Sequence, residues 1–325
     1  MRSALHDSYG DPASVLRVAD RSVPEPAQGE IRIKTILAPI HNHDLWTVRG
    51  QYGYKPALPA IGGSEGFGVV DALGEGVEGF KIGQRVAAAS VHGTWAEYFV
   101  APARMVIPIP DTFAEEVAAQ LVAMPLSALM LLEFLQVKEG DWIVQNAANG
   151  AVGKALAILA RARGIHTVSL VRRDSGVSEL KVMGIENAVS TAGIGWQEQV
   201  RSIVGNGNIR AAVDSVGGNS SGELSSLLSA GGTLVSFGSM SGEPMQIPTG
   251  DLIYKEATVK GFWGSKVSQS MTIDEKRRLV QELLERTAGG EMKMPVEAIF
   301  DLADVPLAVK ASVQAGRKGK ILLRP

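Results

Sequence analysis

The chain has no cysteine, which excludes disulfides, thiolate catalysis and any cysteine-ligated zinc. It also lacks any uninterrupted apolar run long enough to cross a bilayer. A large excess of charge of one sign is missing as well. The formal net charge of −2 gives no electrostatic case for a nucleic acid or an anionic membrane as partner. No cationic-then-apolar leader opens the sequence, so the expected location is the cytoplasm. Internal repeats and low-complexity segments are absent too. What remains is 325 residues with 45% apolar content, the composition of a globular protein long enough for two domains.

Two textures alternate along the chain. Up to about residue 112, short apolar runs (30–37, 66–73, 85–89, 95–100) are punctuated by Gly, Pro and Asp, the pattern of an irregular β-rich domain. From Thr112 the sequence turns helical to about Leu135. Strand-like runs near 141–147, 167–171, 211–216, 233–238 and 258–262 then alternate with helical stretches. This is the signature of a doubly wound parallel sheet, an α/β fold. Residues 272–288 form a charged amphipathic helix, and the end of the chain returns to short strands. The expected division is 1–112 for the first part of a β-rich substrate domain, 113–265 for a nucleotide domain, and 266–325 for the return. The cleft between the domains is the expected reaction site.

The most informative segment is Asp141-Trp-Ile-Val-Gln-Asn-Ala-Ala-Asn-Gly-Ala-Val-Gly153, a buried strand running into a glycine turn. Val152, Ala155, Leu156, Leu159 and Ala160 then repeat at helical spacing up to Gly164. A helix that starts at the turn presents backbone N–H groups and its positive end, which suits a pyrophosphate. Gly150 and Gly153 fall on the second and third glycines of a G-x-G-x-x-G motif, and Ala148 takes the first. The second glycine allows close approach of phosphates and the third lets helix and strand pack. Asn149, Gly150, Ala151, Val152 and Gly153 are therefore candidate coenzyme contacts.

The next strand ends in Arg172 and Arg173, where many dinucleotide-binding units carry a carboxylate for the ribose 2′-hydroxyl. A carboxylate there repels a 2′-phosphate, whereas guanidinium binds it through charge-assisted bonds. The expected coenzyme is NADPH rather than NADH. The alternative is that both arginines are ordinary solvated loop charges.

Three segments carry a family resemblance. The first is Arg49-Gly-Gln-Tyr-Gly-Tyr-Lys-Pro-Ala-Leu-Pro-Ala-Ile-Gly-Gly-Ser-Glu-Gly66, and the second is Gln145-Asn-Ala-Ala-Asn-Gly-Ala-Val-Gly153. The third joins Asp214-Ser-Val-Gly-Gly-Asn-Ser-Ser-Gly-Glu-Leu224, Gly238-Ser-Met240 and Gly261-Phe-Trp263. On these, the chain resembles the medium-chain dehydrogenase/reductase superfamily along nearly its whole length. Within it, the chain is most similar to the zinc-independent 2-enoyl thioester reductases, with the quinone oxidoreductases nearby. The resemblance implies a Rossmann nucleotide domain beside a GroES-like substrate domain. Ser64 for the usual Asn, Gly150 for Ser, and the His41-Asn-His-Asp44 stretch depart from the thioester reductase pattern. They bear on substrate identity more than on reaction type.

Zinc members of that superfamily use two cysteines and a histidine. By the same spacing this chain has His41, Ser64 and, in the helical region, Met124. One imidazole does not make a zinc site, which needs about three protein ligands, so no metal is expected. Without a Lewis acid the oxidation of a simple alcohol loses its usual alkoxide stabilisation. Reduction of an activated C=C bond needs none.

The resemblance implies hydride transfer from NADPH to Cβ of a 2-enoyl thioester, carried on coenzyme A or an acyl carrier protein, and protonation at Cα. It makes Tyr52 the candidate proton donor or enolate orienter, against a role in packing alone. Asn42 and Asp44 match the loop beside the nicotinamide; ordering that loop through Asx hydrogen bonds is the alternative. Asn146 and Asn149 flank the phosphate turn. Ser239, Met240, Phe262 and Trp263 end strands on the coenzyme side and either line the nicotinamide or acyl channel or belong to the core. Lys320 reaches the nucleotide or is a solvated lysine. Trp95 and Glu97 read as structural. A homodimer joined through nucleotide-domain sheet edges is also implied, with 233–247 as the candidate edge. Alternative functions are an NADPH:quinone or small enone reductase, a zinc-type alcohol dehydrogenase relative, and a non-catalytic NADPH-binding protein.

Overall fold

The computed structural model describes residues 1–325. The chain divides into two compact units, Met1–Ala123 with Lys293–Pro325, and Met124–Met292. Both breaks fall later than the composition changes near 112 and 265, and side-chain ties explain why. Gln120 donates to the carbonyl of Met294 at 3.2 Å, and the N–H groups of Val122 and Ala123 donate to Glu65 at 2.8 and 2.7 Å. These bonds hold 112–123 in the first unit. On the other side, Arg163 pairs with Glu282 at 2.6 Å and Arg286 donates to the carbonyl of Ala162. The amphipathic helix thereby stays with the second unit.

In the first unit, β1 (Glu30–Pro39) is followed by the short helix α1 (Asn42–Val48) and by β2 (Glu65–Leu73). β1 and β2 pair antiparallel at the centre of a seven-stranded sheet, which also takes in the carboxyl-terminal strand Lys320–Arg324. Alternate residues of these strands, among them Ile31, Ile33, Val70, Val86 and Phe99, meet in one core, as period-two patterning requires. A second core joins Leu45 and Val48 of α1 to Trp95, Leu302 and Leu323. Trp95 is fully buried and its indole N–H donates to the carbonyl of Pro39 at 3.1 Å. A Cβ at Gly62 would run into that indole, and one at Gly63, where φ is +91°, would meet both the indole and the Thr94 hydroxyl, so two glycines are needed just before Ser64 and Glu65.

All but the first residue of α2 (Ala123–Leu135) belongs to the second unit, and its Ala128, Leu129, Leu131, Leu132 and Leu135 are buried. Then come β3 (Trp142–Gln145), α3 (Ala151–Ala162), β4 (His166–Val171), α4 (Asp174–Val182) and β5 (Ala188–Ser190). They are followed by β6 (Ile209–Asp214), β7 (Thr233–Ser236), β8 (Thr258–Gly261) and the amphipathic helix α5 (Ile273–Ala288). The six strands run parallel in the order β5-β4-β3-β6-β7-β8. Val144, Val168, Leu170, Val189, Ala212 and Leu234 fill its core. Chain order reverses at β3, between β4 and β6, and ligands of such sheets sit beyond the strand ends at that reversal. The fold is thus a Rossmann-type parallel sheet with a separate β-rich unit. One expectation is corrected. The 233–247 region is no sheet edge, because β7 lies between β6 and β8; the edge on that side is β8, all four of whose residues are exposed, and β5 is the edge on the other. The short strand β5 was not legible in the sequence. No helix of the structure is long and apolar enough to cross a membrane.

Candidate active site

In the second unit the glycine turn is built by backbone geometry. Ala147 takes a positive φ of 48° and lets the chain reverse, with Gly150 N–H bonded to its carbonyl at 2.9 Å. Gly150 then starts α3 with no side chain capping the helix, which leaves the first-turn N–H groups for a ligand. A Cβ at Gly150 would meet only the Ala147 oxygen, at 3.2 Å, whereas one at Gly153 would lie 2.7 Å from the backbone of Ala148. The two glycines therefore serve differently: the first keeps the exposed face open and the second brings helix and turn together. Gln145 pins the arrangement from below, donating to the carbonyl of Gly153 at 2.8 Å.

The neighbouring strand ends adjoin this turn. Ala148 N–H donates to the Leu170 carbonyl, so the end of β4, with Arg172 and Arg173 just beyond it, lies beside the turn. Both arginines are exposed and neither takes part in an ion pair. Asn146 is buried, and its amide bridges two loops: Nδ2 donates to Asp214 at 2.7 Å and Oδ1 accepts from Ser215 N–H at 2.7 Å. Asp214, fully buried, also accepts from Val216 N–H, Gly217 N–H and the Ser221 hydroxyl. Asn149, Ala151 and Val152 stay at least partly exposed around the turn. The uncapped helix, the open face at Gly150 and the flanking guanidiniums fit a phosphorylated dinucleotide.

Ser239, Phe262 and Trp263 come together in an open hollow of about 680 Å³, with Phe134, Phe237 and Lys266. Phe262 is itself buried, edge-on to Phe134 and stacked with Phe237, so it forms the floor more than a wall. Met240 stands outside the hollow, 60% exposed.

In the first unit, α1 and the start of β2 gather three of the chain's five histidines with two tyrosines. Asp44 sits at the third position of α1, where one oxygen accepts from His41 N–H at 2.9 Å and the other from the Ser64 hydroxyl at 2.6 Å. It is buried, and these two bonds tie the start of α1 to Ser64. Asn42, by contrast, is exposed. Lys320 lies against His41, its Nζ 3.2 Å from Nδ1, and His41 Nε2 is 2.8 Å from the buried Glu65. An ammonium can only donate, so Nδ1 accepts and Nε2 carries the hydrogen and donates to Glu65. Burial and the Lys320 charge hold His41 well below its ordinary pKa. Desolvation raises Glu65 to about 7, against the two backbone N–H groups that favour its ionised form. Desolvation also lowers Lys320 to about 8.

His43 follows one residue after Asn42. Its ring stacks on His41 with centroids 5.1 Å apart and lies 5.7 Å from the half-buried Tyr52. His43, Ser64, Glu65 and His92 were not singled out as site residues from the sequence; the clustering of histidine and aspartate in 41–44 was the signal that could have found the first. No group of three His, Asp or Glu side chains is arranged to hold a metal, and the positions of zinc ligands in relatives carry a histidine bonded to Glu65 and a serine bonded to Asp44.

Residues 27–111 match the alcohol dehydrogenase GroES-like domain and residues 151–285 match the zinc-binding dehydrogenase domain. The chain is 36% identical to the mitochondrial enoyl-[acyl-carrier-protein] reductase of Caenorhabditis elegans, over 90% of this chain and 86% of that protein. Among solved structures, it is similar to a putative NADPH:quinone reductase from Bacillus thuringiensis, with a TM-score of 0.92, 27% identity, and coverage of 100% and 98% of the two chains. It is likewise similar to Escherichia coli quinone oxidoreductase complexed with NADPH, with a TM-score of 0.90, 25% identity and full coverage of both chains. On its full-length likeness to these proteins, the chain belongs to the medium-chain dehydrogenase/reductase superfamily, in its zinc-independent branch.

Proposed function

We propose that the protein is an NADPH-dependent reductase of the C=C bond in 2-enoyl thioesters carried on coenzyme A or an acyl carrier protein. The observation that carries this reading is the 36% identity to an enoyl-[acyl-carrier-protein] reductase over 90% of the chain. NADPH, when bound, supplies the hydride that is added at Cβ. The chain's own residues do the rest. The first-turn N–H groups after Gly150 and the open face there receive the diphosphate. Arg172 and Arg173 take the 2′-phosphate through charge-assisted bonds. Asn146 acts through Asp214 and Ser215, fixing the shape of the turn. Reduction at Cβ builds negative charge on the thioester oxygen, and an enolate of this kind needs a hydrogen-bond donor. Tyr52 gives the proton to Cα and leaves as phenolate until it is reprotonated. Ser239, Phe262 and Trp263 offer the apolar surface of their hollow to the acyl chain or the nicotinamide ring.

The exposed edge strand β8, with Val259 and the nearby Ile253 and Tyr254 also exposed, is the surface we assign to a homodimer. An uncovered strand edge is an open template for pairing with a second copy. The cytoplasm is the proposed location. A second reading, reduction of quinones or small enones, is favoured by the likeness to quinone reductase structures. NADPH oxidation with crotonyl-CoA, a long-chain enoyl-CoA and a naphthoquinone, measured side by side, separates the two. Turnover of both thioesters well above the quinone is the expected result. Turnover of the quinone alone reverses the choice, and NADPH binding without any turnover removes the enzyme reading.

A further inference from the structure

We propose that His43 is a proton relay for the reductase, returning a proton to Tyr52 after each turnover. The inference rests on the reading of Tyr52 as proton donor and adds a residue to it. The hydrogen-bond directions around His43 carry the argument. Ser64 Oγ donates its single hydrogen to Asp44 Oδ1 at 2.6 Å, so toward His43 Nε2, 2.7 Å away, it can only accept. Nε2 therefore carries a hydrogen in every protonation state this arrangement allows. Nδ1 is the ring nitrogen that gains and loses a proton. Asp44 cannot turn away, because its other oxygen holds the N–H of His41 at the start of α1. A buried carboxylate thus supports a cationic imidazole through a hydroxyl and fixes its tautomer, as an orienting group does for a catalytic histidine.

The surroundings suit a ring that carries a proton intermittently. One face of His43 stacks on His41, with rings 15° from parallel. His41 is kept neutral by burial and by Lys320, so the stack does not set two cations together. Of the other charged and titratable groups in this cluster, Glu65 faces His41, and His92 stacks on Tyr54 with centroids 4.1 Å apart. The His43 side chain keeps 28% of its surface exposed, enough to exchange protons with water. Its ring and that of Tyr52 are neighbours, with centroids 5.7 Å apart and a tilt of 31°.

Cα of the enolate takes the hydrogen of the Tyr52 hydroxyl; a C–H bond forms and the O–H bond breaks. The phenolate then takes the Nδ1 hydrogen of the His43 imidazolium, re-forming O–H and breaking N–H. Neutral His43, still donating from Nε2 to Ser64, recovers a proton from water. The sum is one hydride from the coenzyme and one proton from solvent.

The test compares His43→Ala, His43→Gln, Ser64→Ala and Tyr52→Phe with the wild type, using crotonyl-CoA and a small enone at saturating NADPH. His43→Ala is expected to lower kcat about 10- to 100-fold with NADPH affinity and substrate KM near wild type, and added imidazole should restore much of the rate. Tyr52→Phe should be impaired without any restoration by imidazole. Ser64→Ala should lower kcat less than His43→Ala does. Wild-type kcat in His43→Ala, or a loss that imidazole leaves untouched, overturns the relay. Should His43→Ala fold poorly, His43→Gln with an unaltered melting temperature and a wild-type kcat overturns it equally. A wild-type enzyme that reduces neither substrate defeats the reductase reading itself. An active wild type with an indifferent His43 defeats only the relay.

Discussion

At the turn between β3 and α3 no side chain caps the helix, and the two arginines beside it have no carboxylate partner. Around His41 the opposite holds: Glu65, Lys320, Asp44, Ser64 and His43 are joined by hydrogen bonds inside the first unit. The difference separates two kinds of polar construction. Donors left open to solvent await a ligand that brings its own acceptors. Buried charges have only one another, and leaving any of them unpaired is expensive. The open region is a receptor, and the closed one holds side chains in fixed orientation.

Asp214 tests whether the open turn depends on a closed interior behind it. Four donors converge on this buried carboxylate, and Asp214→Ala strands them. We expect a loss of at least about 3 kcal/mol in urea unfolding, together with weaker NADPH binding in fluorescence titration. Retained stability would mean that the turn stands without its support.

The closed region has a pH signature. Burial raises Glu65 from 4.5 to about 7 in the folded chain, so the folded state holds this proton where the unfolded chain has released it. The corresponding stability is complete below about pH 4.5 and is lost as pH rises through about 7. Relative to wild type, Glu65→Gln should gain about 3 kcal/mol across that interval, read from urea unfolding at a series of pH values. A constant difference between the two proteins would show that the carboxylate is ionised throughout.

Tyr52→Phe removes only a hydroxyl beside the histidines. A fall in kcat of about 10²-fold is expected with NADPH affinity unchanged; an undiminished kcat would leave Tyr52 as part of the wall. The smallest expected effect belongs to the open region. Arg172→Asp should shift the ratio of kcat/KM for NADPH over NADH by about 10- to 100-fold toward NADH, and an unchanged ratio would make Arg172 a solvated charge.

The two regions were also unequally legible. The Rossmann sheet, the turn and its two glycines could be read from the sequence because they follow local rules: a strand, a change of period and residues without Cβ where backbones approach. The short strand β5 escaped because three residues carry too little pattern. The edge of the sheet was misplaced because strand order depends on pairing between distant segments, and β8 adds outside β7. The histidine cluster depends on partners drawn from 41–44, 64–65 and 320, far apart in the chain. Spacing could mark Lys320 as a basic residue near the end, yet not that its ammonium meets His41. Likewise, Asn146 was legible as a flank of the turn, while its bridge to Asp214 was not.

The indole of Trp95, seated where Gly62 and Gly63 have no side chains, restricts how this chain can drift. Enlarging either glycine is harmful while the tryptophan stays, and shrinking the tryptophan alone leaves a void of aromatic size. Variation at Gly62 and Trp95 is therefore expected to be joint or not to occur, whereas Gly63 is held as well by its left-handed backbone and by Thr94, which makes the first pair a natural place to look for covariation among relatives.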